Sequence, residues 1–303
     1  MHELIIIGAG PAGITASVYA ARKNMDFILI SKDIGGQAAW SGDVENYTGY
    51  QFITGPELAK KFEEHMRKYE INLKENEAVL ELNKENDKFI VKTNKAVYES
   101  RTVIIAAGKR SRELNALGEN EFKNKGLTYC ATCDAPLFKG KTVAVIGGGN
   151  SALDAALQLT KIAKHVFVIN ISSGLGGDAI MRSKLEEASN VSILNNSKVT
   201  EILGGNFVSG IKVGNESGEK ILDVEGVFVE IGLLPNSEFT KDIEKNSLGE
   251  IKVNYHNETN IPGIFAAGDV TDVPEKQIII AAGEGSKATL SAFRYLAQNR
   301  FKT

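Results

Sequence analysis

Hydrophobic residues along this chain fall into short runs, and one arrangement of runs occurs twice. In each copy, a run of four apolar residues leads into a glycine-rich segment and then into a longer, alanine-containing stretch. The first copy comprises Leu4–Ile7, residues 8–13 and Ile14–Lys23, and the second comprises Val143–Ile146, residues 147–152 and Leu153–Ala163. Such a series predicts a buried strand, a tight turn and a helix.

A further apolar run follows each copy, at Phe27–Ile30 and at Val166–Ile169, so each copy begins a βαβ unit. An alanine-rich helix is predicted from Ile278 to Arg294. Further strands are predicted at residues 78–82, 88–93, 102–106, 199–203, 208–213, 227–231 and 264–269. Strands that alternate with helices indicate an α/β fold of two Rossmann-like, doubly wound, three-layer domains.

The glycine segments are candidate binding sites for dinucleotides. They read Gly8-Ala9-Gly10-Pro11-Ala12-Gly13 and Gly147-Gly148-Gly149-Asn150-Ser151-Ala152. Glycines at this spacing permit a tight turn, and the N-terminus of the helix behind them offers free N–H groups to a pyrophosphate. One such fingerprint is a weak signal, whereas two in the same strand–turn–helix context predict two sites. The alternative is a glycine turn of an α/β fold without a ligand.

Composition narrows the classes of function. The chain has 303 residues, of which 43% are hydrophobic and 24% are charged, as in a globular protein of about two domains. The net charge is −3 and Lys and Arg form no cluster, so we expect no nucleic acid partner. No apolar run reaches the roughly 18 residues of a membrane span, and the first residues lack a signal peptide's features. We therefore expect no membrane association and a cytoplasmic location.

The chain has two cysteines, Cys130 and Cys133, in the segment Tyr129-Cys130-Ala131-Thr132-Cys133-Asp134. A zinc site needs about four ligands, and neither further cysteines nor nearby histidines are present, so we expect no metal. A structural disulfide is disfavoured in the cytoplasm. Two incidental core cysteines remain an alternative. The leading interpretation is a redox dithiol, because this spacing lets one thiolate attack while the other resolves.

Asp134 follows the dithiol directly and has two interpretations. A carboxyl group at this place can move protons during thiol–disulfide exchange if its pKa is raised. The other interpretation is a helix N-cap. The four histidines are scattered and are interpreted as surface or structural residues.

With these motifs in order, the chain resembles the low-molecular-weight thioredoxin reductases over nearly its whole length. The part from Gly226 to Leu296 is most similar to the reductase part of the alkyl hydroperoxide reductase flavoprotein. The motifs that carry the resemblance are residues 8–13, Gly35-Gly36-Gln37, Val44-Glu45-Asn46-Tyr47, residues 130–134, residues 147–152 and Ala266-Ala267-Gly268-Asp269-Val270.

The resemblance implies a homodimeric FAD enzyme that reduces thioredoxin or a thioredoxin-like protein. Cys133 would face the flavin, Cys130 would attack the disulfide of the partner, and Asp134 would be the acid/base. FAD would contact Gly8, Gly10, Pro11, Ala12, Gly13, Gly36, Gln37, Asn46, Gly108, Asp269, Gln277 and Ile278. The FAD domain would comprise residues 1–113 and 244–303. The second, nucleotide-binding-like domain, residues 116–241, would be inserted into it and would carry the cysteines.

The electron donor is where the sequence departs from the family pattern. Candidate contacts for a pyridine nucleotide are Gly147, Gly149, Asn150, Ser151, Ala152 and Asn170. Members that use NADPH carry arginines after the second strand of this domain, because guanidinium groups suit the 2′-phosphate. Here the first arginine after that strand is Arg182, and Asn170 stands where NADH-using relatives have an acidic residue.

These departures favour NADH over NADPH as the donor, with ferredoxin or another donor as an alternative. The resemblance of the last part of the chain leaves a second kind of acceptor open, a glutaredoxin-like protein that serves a peroxiredoxin. A flavin-binding sensor without rapid turnover is a third hypothesis.

Overall fold

The computed structural model describes residues 1–41, 43–216 and 218–299, without the side chains of Trp40, Asp43, Thr132 and Cys133. Contacts between residues divide the chain into two compact units. One is formed by Met1–Arg110 with Leu234–Thr303, and the other by Ser111–Leu233.

The boundaries between the units differ from the predicted ones at both connections. The prediction placed residues 234–241 in the second domain and 111–113 in the first. Residues 234–241 instead belong to the first unit, because the N–H of Leu82 donates to the carbonyl of Phe239 at 3.1 Å and Leu82 also forms a β-bridge with Thr240. This pairing joins residues that are far apart in the sequence, so no local pattern indicates it.

The strands and helices are as follows. The strands are β1 His2–Ala9, β2 Phe27–Ile34, β3 Asp43–Val44, β4 Ile53–Thr54, β5 Asn72–Lys74, β6 Val79–Glu85, β7 Lys88–Thr93, β8 Val97–Ile105, β9 Lys109–Ser111, β10 Leu127–Thr128, β11 Thr142–Ile146, β12 His165–Ile169, β13 Val191–Leu194, β14 Lys198–Gly204, β15 Val208–Asn215, β16 Gly218–Leu222, β17 Gly226–Val229, β18 Leu233–Pro235 and β19 Ile264–Ala266. The helices are α1 Pro11–Arg22, α2 Gly55–Met66, α3 Glu119–Phe122, α4 Ala131–Asp134, α5 Asn150–Thr160, α6 Ala179–Glu186 and α7 Ile278–Gln298.

The first unit is built on a sheet in which β5, β2, β1 and β8 are neighbours in that order. The register pairs Ile5 of β1 with Ile28 on one side and with Val103 on the other, all in parallel. β19 lies parallel beside β8, whereas β7 and β6 continue the sheet as antiparallel strands. Leu4–Ile7 is almost entirely buried because both faces of the central strands are covered, which explains its unbroken apolar sequence.

The two faces of this sheet are covered by different elements. Leu4 and Ile6 belong to the core that α1 and α7 close, whereas Ile5 and Ile7 pack with Phe89 of β7. α7 lies directly on α1, where the hydroxyl group of Thr289 donates to the carbonyl of α1 residue Ala16 at 3.1 Å. The unit therefore has helices on one face of the central strands and, on the other face, a second core to which Phe89 and Val91 of β7 contribute.

The second unit repeats this plan with a parallel sheet in the order β10-β17-β11-β12-β13. Val145 of β11 pairs with Val168 of β12 and with Phe228 of β17. α5 and α6 contribute to the core on one face of the sheet. On the other face lie β14 and β15. β15 pairs with β14 on one side and with β16 on the other, in an antiparallel sheet that does not extend the parallel one. The α/β fold predicted from the sequence is confirmed.

Candidate functional site

The first glycine segment forms the turn between β1 and α1. Gly8 has a φ of +101°, a conformation that side chains disfavour, and Gly10 is the extended N-cap of α1. An added Cβ at Gly13 would collide with the carbonyl oxygen of Gly8, so this glycine lets α1 pack closely on β1. α1 begins at Pro11, earlier than the predicted Ile14, because proline fits the first turn of a helix.

The turn is surrounded by backbone from two other segments of the first unit. An ideal Cβ at Gly36 would lie 3.1 Å from Cα of Gly10, and one at Gly268 would lie 3.0 Å from Cβ of Ala12. The N-cap of α1 is a glycine, which has no side chain to cap the first N–H groups of the helix. These features leave a cradle lined by backbone at a helix N-terminus, which suits a pyrophosphate.

The amide side chains that were predicted to contact FAD form hydrogen bonds within the first unit. Asn46 donates from Nδ2 to Oε1 of Gln277 at 3.0 Å. Gln37 donates from Nε2 at 2.7 Å to the carbonyl of Lys109, the residue that follows Gly108. Ile278, the first residue of α7, packs against the small apolar cluster of Val44, Ile53 and Leu58. The structure thus brings together, within the first unit, segments that are widely separated in the sequence.

A buried group of charges that the sequence reasoning missed adjoins these residues. Glu250 is 5% exposed and pairs with the Nζ atoms of Lys109 at 2.6 Å and of Lys276 at 3.1 Å. Burial opposes the ionisation of Glu250, yet hydrogen bonds from Lys109, Asn246 and Lys276 lower its pKa to about 2. Burial raises the pKa of Asp269, and the charges of Lys276 and Lys109 oppose that rise. The sequence did hold a signal for this group of charges, because Lys109 and Lys276 directly adjoin Gly108 and Gln277, two predicted FAD contacts.

The cysteine motif lies in the second unit, where α4 begins directly after Cys130. Cys130 is disulfide-bonded. The side chain of Cys133, its predicted partner, lies outside the described residues. Thr128 Oγ1 accepts from the N–H of Cys130 at 3.1 Å and donates to Oδ2 of Asp134 at 2.5 Å. Thr128 therefore holds the backbone of the motif and the Asp134 carboxylate at the same time.

Asp134 stands at the N-cap position of a short 3-10 helix, Ala135–Phe138, but its side chain makes no capping hydrogen bond there. The carboxylate accepts from Thr128 instead. The capping interpretation is therefore wrong for the side chain, and the acid/base role stays a prediction.

The carboxyl group of Glu230 was not predicted, and it also reaches this motif. Its Oε1 accepts from the N–H of Ala131 at 3.4 Å. Burial raises the pKa of Glu230 to about 7. The signal was its position directly after a parallel strand and beside a glycine turn, where ligands and catalytic groups gather in this type of sheet.

The second glycine segment forms the turn between β11 and α5. Gly147 has a φ of +139°, and an added Cβ would lie 2.9 Å from Cβ of the buried residue Ala152. Gly149 is the N-cap of α5, with an extended backbone and open space around it, and Ser151 follows in the first turn. The Oδ1 of Asn150 accepts from the N–H of Asp178 at 2.8 Å, so this side chain is bonded to the residue that caps α6.

Asn170 was predicted as a possible contact of a pyridine nucleotide; in the structure its side chain is bonded within its own loop, and the contact stays a prediction. The side chain is 4% exposed. Its Nδ2 donates to the carbonyls of Gly174 at 2.8 Å and Ser172 at 3.2 Å, and to Oδ1 of Asn195 at 3.1 Å. Its Oδ1 accepts from the N–H of Ser172 at 3.3 Å. The amide therefore holds the following loop through hydrogen bonds within the chain.

Comparison with known proteins decides the family. The sequence profile of the pyridine nucleotide-disulphide oxidoreductases matches residues 2–285. This chain belongs to that family. The oxidoreductase is 42% identical over 300 residues to the NADH dehydrogenase of Bacillus subtilis strain 168, covering 98% of this chain and 59% of the relative. It is 42% identical over 302 residues to a subunit of the alkyl hydroperoxide reductase of Staphylococcus aureus strain MRSA252, covering 98% and 60%. The chain thus spans about 60% of the length of these relatives.

Solved structures similar to the oxidoreductase include thioredoxin reductases. That of T. acidophilum is 37% identical with a TM-score of 0.79 and covers 97% of this chain and 98% of its own. That of Lactococcus lactis is 32% identical with a TM-score of 0.83, covering 98% and 100%. A ferredoxin-flavin thioredoxin reductase from Clostridium acetobutylicum is 32% identical with a TM-score of 0.55, covering 98% of each chain. The predicted resemblance to thioredoxin reductases is confirmed.

Membership implies FAD together with a pyridine nucleotide as cofactors, and the oxidoreductase's first glycine turn fits the first of these. The N-cap glycine of α1 has no capping side chain, and a Cβ at Gly36 would crowd the turn at Gly10. Among the described residues, no helix is both long and apolar enough to cross a membrane. Within the same residues, no group of three or more His, Cys, Asp or Glu side chains is arranged to hold a metal ion.

Proposed function

We propose that this oxidoreductase is an FAD-dependent reductase of thioredoxin or a similar small disulfide protein. Electrons pass from a donor to the Cys130–Cys133 pair and then to the disulfide of the partner. The observation that carries the proposal is the disulfide-bonded state of Cys130 within a Cys-Ala-Thr-Cys-Asp motif, in a member of a disulfide oxidoreductase family. Homodimer formation and a cytoplasmic location stay predictions.

The residues of the motif account for the exchange. The Cys130 thiolate attacks one sulfur of the partner's disulfide, that S–S bond breaks, and the other sulfur leaves as a thiolate that takes up a proton. The Cys133 thiolate then attacks Cys130, which re-forms the internal disulfide and releases the second sulfur of the partner. Asp134, held by Thr128, is the group that gives and takes the proton. FAD, when bound, supplies the electron pair that restores the dithiol.

Residues of the first unit bind the cofactor in this proposal. The N–H groups at the start of α1 would bind its pyrophosphate, and Asp269 would contact the FAD nearby. The Asn46–Gln277 pair and Gln37 would lie along the FAD, and hydrogen bonds within the chain hold these amides in place. These segments are held together by the ion pairs of Glu250 with Lys109 and Lys276.

NADH is the preferred pyridine nucleotide in this proposal. Arg182, within α6, is the first arginine after β12, so the segment between β12 and α6 carries no guanidinium for a 2′-phosphate. A relative named NADH dehydrogenase supports the same choice.

A second candidate is a reductase that takes electrons from ferredoxin and does not depend on a pyridine nucleotide. The burial of Asn170 and its hydrogen bonds within its own loop favour it, because a buried side chain is not presented to a ribose hydroxyl. The likeness to a ferredoxin-flavin thioredoxin reductase supports it as well.

The test is stopped-flow reduction of the purified protein with NADH, NADPH and reduced ferredoxin in separate experiments, followed by thioredoxin turnover. Fast bleaching of the flavin by NADH supports the first donor, and bleaching only by ferredoxin supports the second. Cys130→Ser and Cys133→Ser should each abolish turnover, whereas Ser209→Ala, an exposed residue of the same unit, should not. Wild-type turnover in both cysteine variants would refute the role of the dithiol.

A further inference from the structure

Glu230 is fixed at the end of β17 by the backbone around it. Its N–H donates to the carbonyl of Ile146 at 2.8 Å. Its own carbonyl oxygen lies so close to Gly147 that a Cβ there would collide with it. The residue is therefore held between the end of a parallel strand and the second glycine turn.

From this position the side chain reaches the cysteine motif. Oε1 accepts a long hydrogen bond of 3.4 Å from the N–H of Ala131, the residue that follows Cys130. The carboxyl group thus lies one peptide group away from the Cys130 Cα. Asp134 lies on the same motif, but its carboxylate is engaged by Thr128 at 2.5 Å. The two carboxyl groups therefore approach the motif through different contacts.

The surroundings of Glu230 oppose its negative charge. The side chain is half-buried, and burial raises its pKa to about 7. The hydrogen bond from Ala131 lowers the pKa, and the negative charge of Asp154, on α5, raises it. The other titratable groups on the motif itself are Tyr129, Cys130, Cys133 and Asp134. A thiolate on Cys130 would add a further negative charge nearby, so each group disfavours ionisation of the other.

We propose, on the basis of the function above, that Glu230 is a positioning residue that couples one proton to the reduction of the Cys130 disulfide. When two electrons and one proton from solvent break the S–S bond, one sulfur becomes a thiol and the other a thiolate, and the Glu230 carboxylate takes up a further proton from solvent. When the Cys130 thiolate attacks the partner's disulfide, the negative charge leaves with the partner's sulfur, and the Glu230 carboxyl group releases its proton to solvent.

The test measures the reactivity of the thiol without any donor or protein partner. The full-length protein is reduced, and alkylation of Cys130 by iodoacetamide is followed by mass spectrometry between pH 5 and 10. Glu230→Gln keeps an acceptor for the N–H of Ala131 but removes the charge. The midpoint of the alkylation profile should move to lower pH by about one unit, which is about a tenfold faster reaction on the rising limb.

Two further variants make the result specific. Glu225 accepts from the N–H of Thr142 at 3.3 Å at the other end of β17, and it is exposed, so Glu225→Gln should leave the profile unchanged. Asp154→Asn removes the neighbouring charge without touching the motif. This change should lower the pKa of Glu230. The inflection that the titration of Glu230 causes in the alkylation profile should therefore move to lower pH.

Superimposable profiles for the wild type, Glu230→Gln and Asp154→Asn would overturn the proposal, as would an equal shift in Glu225→Gln. That failure is separate from failure of the proposed function, which is judged by turnover of the cysteine variants. Circular dichroism of each variant verifies that the compared proteins are folded.

Discussion

Two glycines of α7 allow a test of how this helix positions the first glycine turn. Gly285 is buried, and a Cβ added there would lie 3.0 Å from Cα of Ala12 and closer still to the carbonyl of Ala12. Gly283 is exposed, two residues earlier in the same helix, and a Cβ there would meet nothing within 4 Å. Gly285→Ala and Gly283→Ala therefore form a matched pair.

The expected effects have opposite signs. Replacing glycine by alanine inside a helix stabilises it by about 1 kcal/mol, and this applies to both variants. At Gly285 the added methyl group meets the backbone of α1, and overpacking of this kind costs about 1–3 kcal/mol. Gly283→Ala should thus stabilise the protein by about 1 kcal/mol, whereas Gly285→Ala should destabilise it by up to roughly 2 kcal/mol.

The assay is urea unfolding monitored by circular dichroism, together with the flavin content after gel filtration. Because α1 must move away from α7 in Gly285→Ala, we expect weaker FAD retention in that variant than in Gly283→Ala. If both variants unfold at the same urea concentration and retain equal amounts of flavin, the close contact of α1 with α7 does not support the cradle.

Two other predictions follow from single side chains. Asn170→Asp removes the amide donor to Ser172, Gly174 and Asn195, so it should lower the free energy of unfolding by about 1–3 kcal/mol. It should not speed the reduction of the flavin by NADH. Faster reduction would instead support a ribose-binding role at this position. Glu250 has a pKa lowered to about 2 in the folded chain, so its contribution to stability is present above pH 4.5 and is lost as the pH falls toward 2. Glu250→Gln should therefore cost about 3 kcal/mol at pH 7 and flatten the acid side of the stability profile, unlike a change at the exposed Glu275, as urea midpoints between pH 3 and 7 would show.

The sequence predicted the two βαβ halves well because their signals are local. The apolar runs at Leu4–Ile7 and Val143–Ile146 are buried strands, and both glycine segments are turns at a helix N-terminus. Strands such as Asn72–Lys74 and Gly218–Leu222 were missed because they are short or largely exposed and carry no alternation. The separate antiparallel sheet of the second unit was also missed, because strand pairing joins distant segments.

For the candidate site, the motif residues could be found and their partners could not. Asn170 occupies the strand end that the pattern indicated, but only the folded loop shows that its amide is already bonded to Gly174. Glu230 lies about a hundred residues from Ala131 in the sequence, and the structure brings its carboxyl group to that N–H. Lys109 and Glu250 form their pair across a comparable separation.

The contact between α1 and α7 also bears on the order in which the protein can be completed during synthesis. Residues 111–233 form one unit from a continuous stretch, whereas the other unit needs segments from both sides of that stretch. Domains generally fold as they emerge from the ribosome. The strand and helix around Gly8–Gly13 must therefore wait for Ile278–Gln298, while the unit with the cysteines can finish first. A nascent chain would then present its cysteines for oxidation before it could hold a flavin.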